Sequence, residues 1–157
     1  MKEIKLTRGK VTIVDDEDFK YLSQWKWHFN DCYAVRSGRK PMGGRRTLSM
    51  HRVINQTPEG YETDHINRDK LDNRKQNLRT ATGQQNMFNR ESYRNSSSIY
   101  KGVYWDKTNN KWRVRIKINY KFIHIGRFDC EREAALAYNR KAKEVHGEFA
   151  GLNNLKR

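Results

Sequence analysis

The sequence predicts an α+β protein in which antiparallel strands are followed by short helices, and three patterns indicate it. Apolar and cationic residues alternate along residues 111–118, as expected for a strand with one buried and one exposed face. Apolar residues recur at four-residue spacing along residues 131–146, as they do on the buried side of a helix. Shorter segments within the first 56 residues alternate with period two, which indicates a β-rich N-terminal region.

The composition limits the size of the core and indicates the class of partner and the cellular compartment. The chain has 157 residues, enough for one domain or two small ones, and with 35% hydrophobic residues any core must be small or divided. Its formal net charge of +15 points to nucleic acid as the first candidate partner and to an anionic membrane surface as the second. Because no apolar run approaches the roughly 18 residues of a membrane span and no signal peptide is evident, we expect a cytoplasmic protein without a membrane partner.

The cysteine pattern argues against a zinc-braced fold. Cys32 and Cys130 lie far apart and form no CxxC pair. A structural zinc site usually takes four Cys or His ligands, so we expect two reduced thiols and no structural zinc.

Residues 1–56 are predicted to form short strands and one helix. Strands are expected near 4–6 and 11–14, and the acids Asp15–Asp18 suit the positive N-terminal end of a helix that follows them. The remaining predictions are strands at 25–29 and 33–36, a loop at 38–44, and an extended or helical segment at 47–54. Trp25 and Trp27 could stack on DNA, but such residues are more often core, which is the interpretation that we favour.

Residues 57–90 form a polar segment with little core of its own. We predict a strand from Tyr61 to Ile66, a return strand from Leu78 to Thr80, and a helix from about Gly83 to Arg90 that Thr82 caps. Residues 91–99 have the composition of a linker, so we place a domain boundary there.

Residues 100–157 are predicted to form a three-stranded antiparallel sheet packed on one helix. The strands are expected at 102–105, 111–118 and 122–128, with hairpin turns at 109–110 and 119–120. The helix is expected at 131–146, where Gly147 ends it. The side chains predicted to face this helix are Trp112, Val114, Ile116, Ile123 and Ile125.

One constellation in residues 57–90 suits phosphodiester hydrolysis: Asp64-His65, followed by Asn73, by Asn77-Leu-Arg and by Gln84-Gln-Asn86. Hydrolysis needs a group that removes a proton from water, and a neutral His can do this at cell pH. Mg²⁺ prefers oxygen ligands and keeps several waters, so one carboxylate and one amide oxygen are enough protein ligation. The predicted helix could bring Asn86 opposite Asp64, whereas neighbours on a strand, such as Asp64 and His65, point to opposite faces unless a twist or bulge intervenes.

Residues 51–90 resemble the HNH endonucleases of phage and homing type. The resemblance rests on His51-Arg-Val-Ile, Asp64-His65-Ile-Asn, Leu71-Asp-Asn-Arg, Asn77-Leu-Arg and Gln85-Asn86. It implies a ββα-metal finger in which His65 is the general base, Asp64 and Asn86 bind one divalent metal ion (Mg²⁺ first, Mn²⁺ second), and Asn77 ties the loop that orients the His. Nearby cations that could grip phosphates are Arg52, Arg68, Arg74 and Arg79. The first 50 residues also resemble the N-terminal region of phage proteins of this arrangement.

Residues 100–153 resemble the APETALA-two/ERF DNA-binding domain. The matching motifs are Tyr100-Lys-Gly-Val, Lys111-Trp112, Ile125-Gly-Arg-Phe, Glu133-Ala-Ala-Leu-Ala-Tyr and the segment from Gly147 to Asn153. The resemblance implies that the outer face of the sheet lies in the major groove of DNA. The candidate contacts are Lys101, Tyr104, Arg113, Arg115, Lys117, His124 and Arg127. Tyr104 and His124 depart from the plant pattern, so no target sequence can be inherited.

The main hypothesis is a phage- or prophage-borne, site-specific endonuclease that nicks double-stranded DNA in the cytoplasm of a bacterial host, with one metal ion and no small-molecule cofactor. We expect a monomer, because one such site cuts one strand at a time. Two alternatives stay open: a DNA-binding transcriptional regulator with an inactive HNH module, and an RNA-binding protein.

Overall fold

The computed structural model describes residues 1–39, 43–92 and 95–155, and the chain divides into two compact units, Met1–Asn86 and Met87–Arg157. Parts of the loop predicted at 38–44 and of the linker predicted at 91–99 lie outside the described residues. Each unit combines helices with antiparallel sheets, so the predicted α+β class is confirmed. No helix within the described part of the chain is long and apolar enough to cross a membrane.

The first unit contains three small sheets and three helices in the described residues. Its elements in chain order are β1 (Lys2–Lys5), β2 (Val11–Val14), α1 (Asp16–Leu22), β3 (His28–Asn30), β4 (Tyr33–Arg39), β5 (Arg45–Ser49), α2 (Met50–Asn55), β6 (Glu62–His65), β7 (Leu78–Ala81) and α3 (Gly83–Phe88). The antiparallel sheets are β1–β2, β3–β4–β5 and β6–β7. One core joins these elements through Val14, Leu22, Trp27, Ala34 and Met50, all at most 2% exposed.

Two predictions in this unit are wrong at the level of local structure. Residues 25–27 are not a strand, because the indole of Trp27 is buried and its Nε1 donates to the carbonyl of Leu22 at the end of α1, 2.9 Å away. Gly38 and Arg39 are not loop residues, since they pair with Arg46 and Arg45 in the β4–β5 ladder. The helix predicted after the acids at 15–18 is confirmed as α1.

The helix α2 buries a histidine in this core. His51 is 8% exposed, and its Nδ1 has no hydrogen-bond partner among the described residues. Burial lowers the pKa of His51 from its ordinary 6.5 to about 3, and the positive charges of Arg52 and Lys70, and of His65 when it is protonated, act in the same direction. His51 is therefore neutral in the folded protein at pH 7.

The second unit is a three-stranded sheet with one helix on one face. The strands are β8 (Val103–Asp106), β9 (Lys111–Ile118) and β10 (Lys121–Phe128), in the order β10–β9–β8, and the helix is α4 (Glu131–His146). The turns sit where they were predicted, with left-handed backbone at Asn110, Asn119 and Tyr120. The buried side chains of α4 are small except for Tyr138, so the helix lies close to Val114 and Ile116.

Ile123 does not pack against α4 as predicted, and 43% of its surface is exposed. It pairs with Ile116 and so shares that residue's face, but it lies on the edge strand next to the exposed turn at Asn119 and Tyr120. A bulge between His124 and Gly126 follows, and the partly buried apolar residues of β10 begin at Ile125. The cover provided by α4 therefore stops short of Ile123.

We expect Gly102→Ala to destabilise the second unit by about 3 kcal/mol or more. Two costs add up to this figure, because a side chain is unfavourable in left-handed backbone and because the added methyl group would overpack its surroundings. Gly102 has φ +75°, and an added Cβ would lie 2.3 Å from the ring of Tyr138 and 2.7 Å from the carbonyl oxygen of Arg115. Urea denaturation measures the change. The control is Asn110→Ala, at an exposed left-handed turn residue (φ +50°), which should cost only about 1 kcal/mol. Equal costs would mean that no close packing surrounds Gly102.

We expect the stability of the wild-type protein to fall more steeply between pH 7 and pH 5 than that of His51→Gln. The folded protein keeps His51 neutral over this range, whereas the unfolded chain takes up a proton near pH 6.5. The contribution of neutral His51 to the free energy of unfolding is thus complete above pH 6.5 and is lost as the pH falls toward 3. At pH 5 the wild type should therefore have lost about 2 kcal/mol more than His51→Gln.

Free energies of unfolding from urea denaturation at pH 7 and pH 5 test this expectation. His28→Gln, at an exposed histidine on β3, is the matched control and should keep the wild-type pH dependence. If His51→Gln lost as much stability as the wild type, burial would not hold residue 51 neutral.

Candidate active site and nucleic-acid interface

The hairpin β6–β7 carries the reactive side chains on two faces. Its register pairs Glu62 with Ala81, Asp64 with Arg79 and His65 with Leu78. Because successive residues of a strand alternate, Glu62 and Asp64 share one face while His65 points to the other. The expectation that Asp64 and His65 would point apart therefore holds within the strand itself, and His65 is its last residue.

The start of α3 is fixed by reciprocal capping. The backbone N–H of Gln85 donates to Thr82 Oγ1 (3.2 Å), and the N–H of Thr82 donates to Gln85 Oε1 (2.8 Å). Asn86 follows directly, and its N–H bonds to the carbonyl of Thr82 at 3.0 Å. The helix begins where predicted and ends at Phe88, two residues before the predicted end.

Asp64 and Asn86 each contact a charged neighbour on the same face of the hairpin. The Asp64 carboxylate is 4% exposed and accepts from Arg79, with Nε 2.8 Å and Nη2 2.6 Å from Oδ2. The side-chain amide of Asn86 donates to the carboxylate of Glu62. Glu62 and Asp64 lie two residues apart on one face, a spacing of about 7 Å, so oxygen donors from β6 and α3 lie close together.

His65 is held by the carboxamide of Asn73, a member of the predicted constellation to which the sequence analysis assigned no role. The imidazole is 5% exposed, and its Nε2 lies 3.2 Å from Asn73 Oδ1. Asn73 is fully buried and donates through Nδ2 to Thr12 Oγ1 (2.7 Å), which in turn donates to the carbonyl of Leu71 (2.7 Å). Since the amide nitrogen is committed to Thr12, its oxygen faces His65, Nε2 carries the proton, and Nδ1 keeps the lone pair.

The environment of His65 favours the neutral ring. Burial lowers its pKa below the ordinary 6.5, although the hydrogen bond with Asn73 and the charges of Asp64, Asp69 and Asp72 act in the opposite direction. At neutral pH the imidazole can therefore accept a proton. The sequence placed Asn73 in the constellation but did not reveal its role, because Thr12, the partner that fixes its orientation, lies 61 residues away.

Asn77 closes the loop between the two strands. Its Nδ2 donates to the carbonyl of Asp72 (2.8 Å), and its Oδ1 accepts from the backbone N–H of Asn67 (2.9 Å). Asp72 is further bound by Arg74 through two bonds of 2.7 Å, which together hold the pKa of this carboxyl below its usual range. The loop that follows His65 is thus tied at both of its sides.

Two aromatic rings stand beside His65. The ring centroids of His51 and Tyr33 lie 5.1 Å and 6.1 Å from that of His65, and those of Tyr33 and His51 are 4.9 Å apart. The ammonium of Lys70 lies 4.5 Å above the Tyr33 ring. Tyr33 and Lys70 were not predicted, because they come from β4 and from the loop rather than from the motif itself.

Arginines that were predicted near phosphates hold protein groups in the structure. Arg52 donates to the carbonyls of Tyr61 (2.8 Å), Thr57 (3.3 Å) and Pro58 (3.2 Å). Arg74 and Arg79 pair with Asp72 and Asp64. Arg68 is half-buried with left-handed backbone at φ +68°.

Within residues 1–39, 43–92 and 95–155, no three His, Cys, Asp or Glu side chains are gathered as a group that could hold a metal ion. The oxygen donors that β6 and α3 offer at this hairpin are carboxylate and amide oxygens. Asp64 and Asn86 supply both kinds of atom, and Glu62 supplies a second carboxylate beside them. Such a set is hard in character and suits Mg²⁺ or Mn²⁺ rather than zinc.

The sheet of the second unit presents cations and aromatic rings on the face opposite α4. Cross-strand pairing joins Tyr104 to Arg113, Arg113 to Arg127, Arg115 to His124 and Lys117 to Phe122, so these residues share one face. The Arg115 guanidinium lies 4.7 Å from the Tyr104 ring and 4.3 Å from the Phe122 ring. Phe122, which is 60% exposed, was missed by the sequence analysis although its alternation with Ile123 placed it on this face.

Two predicted contacts in this unit are engaged with protein groups. Arg127 donates to Asp106 at 3.0 Å, and this bond lowers the pKa of Asp106. Lys101 lies outside the strands and donates through Nζ to the carbonyls of Phe88 (2.6 Å) and Met87 (3.4 Å).

Comparisons with known proteins agree with this division. Residues 55–88 match the family model described as HNH endonuclease, and residues 98–148 match the AP2 domain. A protein of Acanthamoeba polyphaga mimivirus, named as an uncharacterized HNH endonuclease, is 31% identical over 96% of this chain and 79% of its own length. Protein 3.8 of Escherichia phage T7 is 32% identical over 68% of this chain and 88% of its own length. No solved structure matches the chain.

The buried imidazole and the carboxylate of β6, the capped helix after β7 and the cationic sheet thus coincide with the two matched regions. Both kinds of domain indicate DNA binding, and the first indicates nuclease activity. The chain belongs to the HNH endonuclease family and carries an AP2 domain after its HNH domain.

Proposed function

We propose that this protein is a Mg²⁺-dependent, site-specific endonuclease of the homing type that nicks double-stranded DNA. The observation that supports this most directly is the hairpin β6–β7 with α3, which combines a buried neutral imidazole, a carboxylate and a carboxamide within 25 residues. We assign His65 as the general base and Asp64 and Asn86 as metal ligands, in the ββα arrangement that the resemblance implies.

The chemistry assigned to His65 follows from its tautomer. With Nε2 bonded to Asn73, the lone pair of Nδ1 removes the proton from the attacking water. As the family resemblance implies, the water oxygen then bonds to phosphorus while the bond from phosphorus to the 3′ oxygen breaks, and the 3′ oxygen takes a proton from solvent, which gives 5′-phosphate and 3′-hydroxyl ends. Asn73 and Asn77 are positioning residues, because they hold the ring and the loop rather than the reacting atoms.

The donor atoms on β6 and α3 suit one hard divalent cation. Such an ion, when bound, stabilises the charge that develops on the phosphate and the leaving oxygen. Asn86 donates through its nitrogen to Glu62, so its Oδ1 is the atom that would coordinate, together with the carboxylate of Asp64. Arg79 holds that carboxylate and brings a positive charge close to the position where the phosphate would lie.

We further propose that the sheet of the second unit supplies affinity and register. A sheet fits the major groove, where Arg side chains bind guanine edges or clamp phosphates. The exposed face that joins Tyr104, Arg113, Arg115, Lys117 and His124 supports this assignment, since it combines cations with aromatic rings. In this proposal the domains are 1–56, 57–90 and 100–157 with a linker at 91–99, and a monomer nicks one strand. Relatives from a phage and a giant virus support action inside an infected host cell.

We expect His65→Ala to lower nicking of supercoiled plasmid by at least about 100-fold while DNA binding persists, because general base catalysis contributes about 10²–10⁴. Gel electrophoresis of the plasmid with Mg²⁺, with and without EDTA, measures the rate, and EDTA should abolish it. His28→Ala is the control and should nick like the wild type. If His65→Ala nicked plasmid at the wild-type rate, the assignment of His65 as the general base would be wrong. If the wild type bound DNA without nicking it, the result would favour a regulator with an inactive HNH module.

We expect Arg115→Ala to weaken DNA binding and to reduce the slope of log Kd against log salt concentration by about 1, because one phosphate contact releases about one counterion. Fluorescence anisotropy with a labelled duplex between 50 and 200 mM salt measures both. Arg132→Ala, at an exposed position of α4 on the other side of the sheet, should change neither. If both variants behaved alike, the outer face of the sheet would not be the binding face.

A further inference from the structure

The hairpin formed by β4 and β5 carries a run of positive charge that neither matched domain includes. Residues 33–58 contain six Lys and Arg residues and no Asp or Glu. The HNH match begins at residue 55, so β4 and β5 lie before it. The charge of this segment therefore needs an explanation of its own.

The arginines near the end of this hairpin have no counter-charge. Arg39 pairs directly with Arg45 across the two strands, and Arg46 pairs with Gly38. All three arginines are exposed, and none has a hydrogen bond, ion pair or ring contact with another described residue. Like charges directly opposite each other destabilise a sheet, so the folded protein alone gains nothing from this pair.

The arginines nearer the active site behave differently. Arg52, Arg74 and Arg79 are all engaged with carbonyls or carboxylates of the same unit. Those guanidiniums must exchange a protein partner before they can bind a phosphate, whereas Arg39 and Arg45 can bind one at once. Arg39 and Arg45 are thus more readily available to a phosphate than Arg52, Arg74 and Arg79.

One face of β4 runs from these arginines to the reactive histidine. Tyr33, Val35, Ser37 and Arg39 alternate onto the same face, and the Tyr33 ring lies 6.1 Å from that of His65. Six residues of strand span about 20 Å, close to the rise of half a turn of duplex DNA. Hydroxyl groups occupy the middle of this face, where Ser37 pairs with Thr47. The face therefore offers phosphate-binding groups on the strand whose first residue, Tyr33, lies beside His65.

The opposite face of the hairpin is anchored to its own unit. Arg36 stacks on Trp25, with its guanidinium 4.2 Å from the ring, and lies 5.6 Å from Trp27 in the core. Farther out, Leu48 folds over Gly38 so closely that a Cβ at Gly38 would lie 2.5 Å from Leu48 Cδ1. The hairpin is thus braced on one face and bare on the face that carries Arg39 and Arg45.

We propose that the β4–β5 hairpin is a second DNA-binding element, an arm that grips backbone phosphates of the duplex on one side of the scissile bond through Arg39 and Arg45. This inference rests on the proposed function, since it takes duplex DNA as the substrate. The arm contacts phosphates and not base edges, so it contributes affinity and register without sequence preference. Its contribution would add to that of the sheet of the second unit, which we propose to read the target.

The test compares full-length Arg39→Ala/Arg45→Ala with a control that loses the same charge from elsewhere in the unit. Lys20→Ala/Lys26→Ala is that control, since both lysines are exposed and lie outside the hairpin. Binding of a labelled random-sequence duplex is measured in the His65→Ala background, so that no cleavage interferes, and plasmid nicking is measured with His65 intact.

We expect the arginine variant to bind at least about tenfold more weakly at 150 mM salt, with a salt slope smaller by about 2, and the lysine variant to change less than twofold. Hydroxyl-radical footprinting of a second duplex, which carries a nick site mapped with the wild type, should show protection lost on one side of that site only. Binding and footprint like the wild type, or an equal loss in the lysine variant, would overturn the arm while leaving the endonuclease proposal intact. If the wild type neither bound nor nicked DNA, the proposed function itself would fail.

Discussion

The hydrogen-bond chain from His65 through Asn73 to Thr12 is the constraint on which the arrangement of the nuclease unit depends. A fully buried carboxamide must satisfy its nitrogen and its oxygen together, because each unpaired polar group costs about 1–3 kcal/mol. Thr12 takes the nitrogen, so only one orientation of Asn73 remains, and that orientation decides which nitrogen of His65 holds the proton. The strand β2 also accepts the backbone N–H of Asn73 at the carbonyl of Ile13, 2.8 Å away. The β1–β2 hairpin, which carries none of the candidate site residues, therefore helps to orient the imidazole of His65.

The sequence predicted best those elements whose causes are local. The bounds of α4 agree with the prediction, because acids in its first turn, a stripe of small residues and Gly147 mark its start, face and end. The start of α3 was predictable for the same reason, since Thr82 and Gln85 cap it within four residues. The prediction of a strand at residues 25–27 was wrong, because the alternation of Trp and Lys does not reveal that the Trp27 indole donates to a carbonyl at the end of α1. The prediction that Ile123 packs against α4 was wrong, because alternation predicts which face of a strand a residue lies on and not how far a helix covers that face.

The candidate site was predictable to the extent that its members lie in one motif. Asp64, His65, Asn77 and Asn86 are recognisable by type and spacing, but their partners are not. Thr12 lies 61 residues from Asn73, and Tyr33 reaches His65 from another sheet. The partners of the arginines are likewise not recognisable from the sequence. Net charge indicates a polyanion, yet only tertiary structure separates guanidiniums that hold carbonyls or carboxylates from those that face solvent without a partner.

The position of Asn86 shows why such a site needs tertiary support. A helix of six residues is not stable alone, because nucleation of a helix is unfavourable and few hydrogen bonds follow it. The Thr82–Gln85 caps satisfy its first amides, and the carbonyl of Phe88 at its last residue accepts from Lys101 Nζ and from the backbone N–H of Gly151, at 2.6 Å and 3.0 Å. The Phe88 ring also stacks on His146 with centroids 3.6 Å apart. Both ends of this short helix are thus held by side chains and loops that hydrophobic periodicity does not reveal. Within the first unit, the turn that carries Asn86 is held by the Thr82–Gln85 caps and by the bond from Asn86 to Glu62, and not by helix propensity.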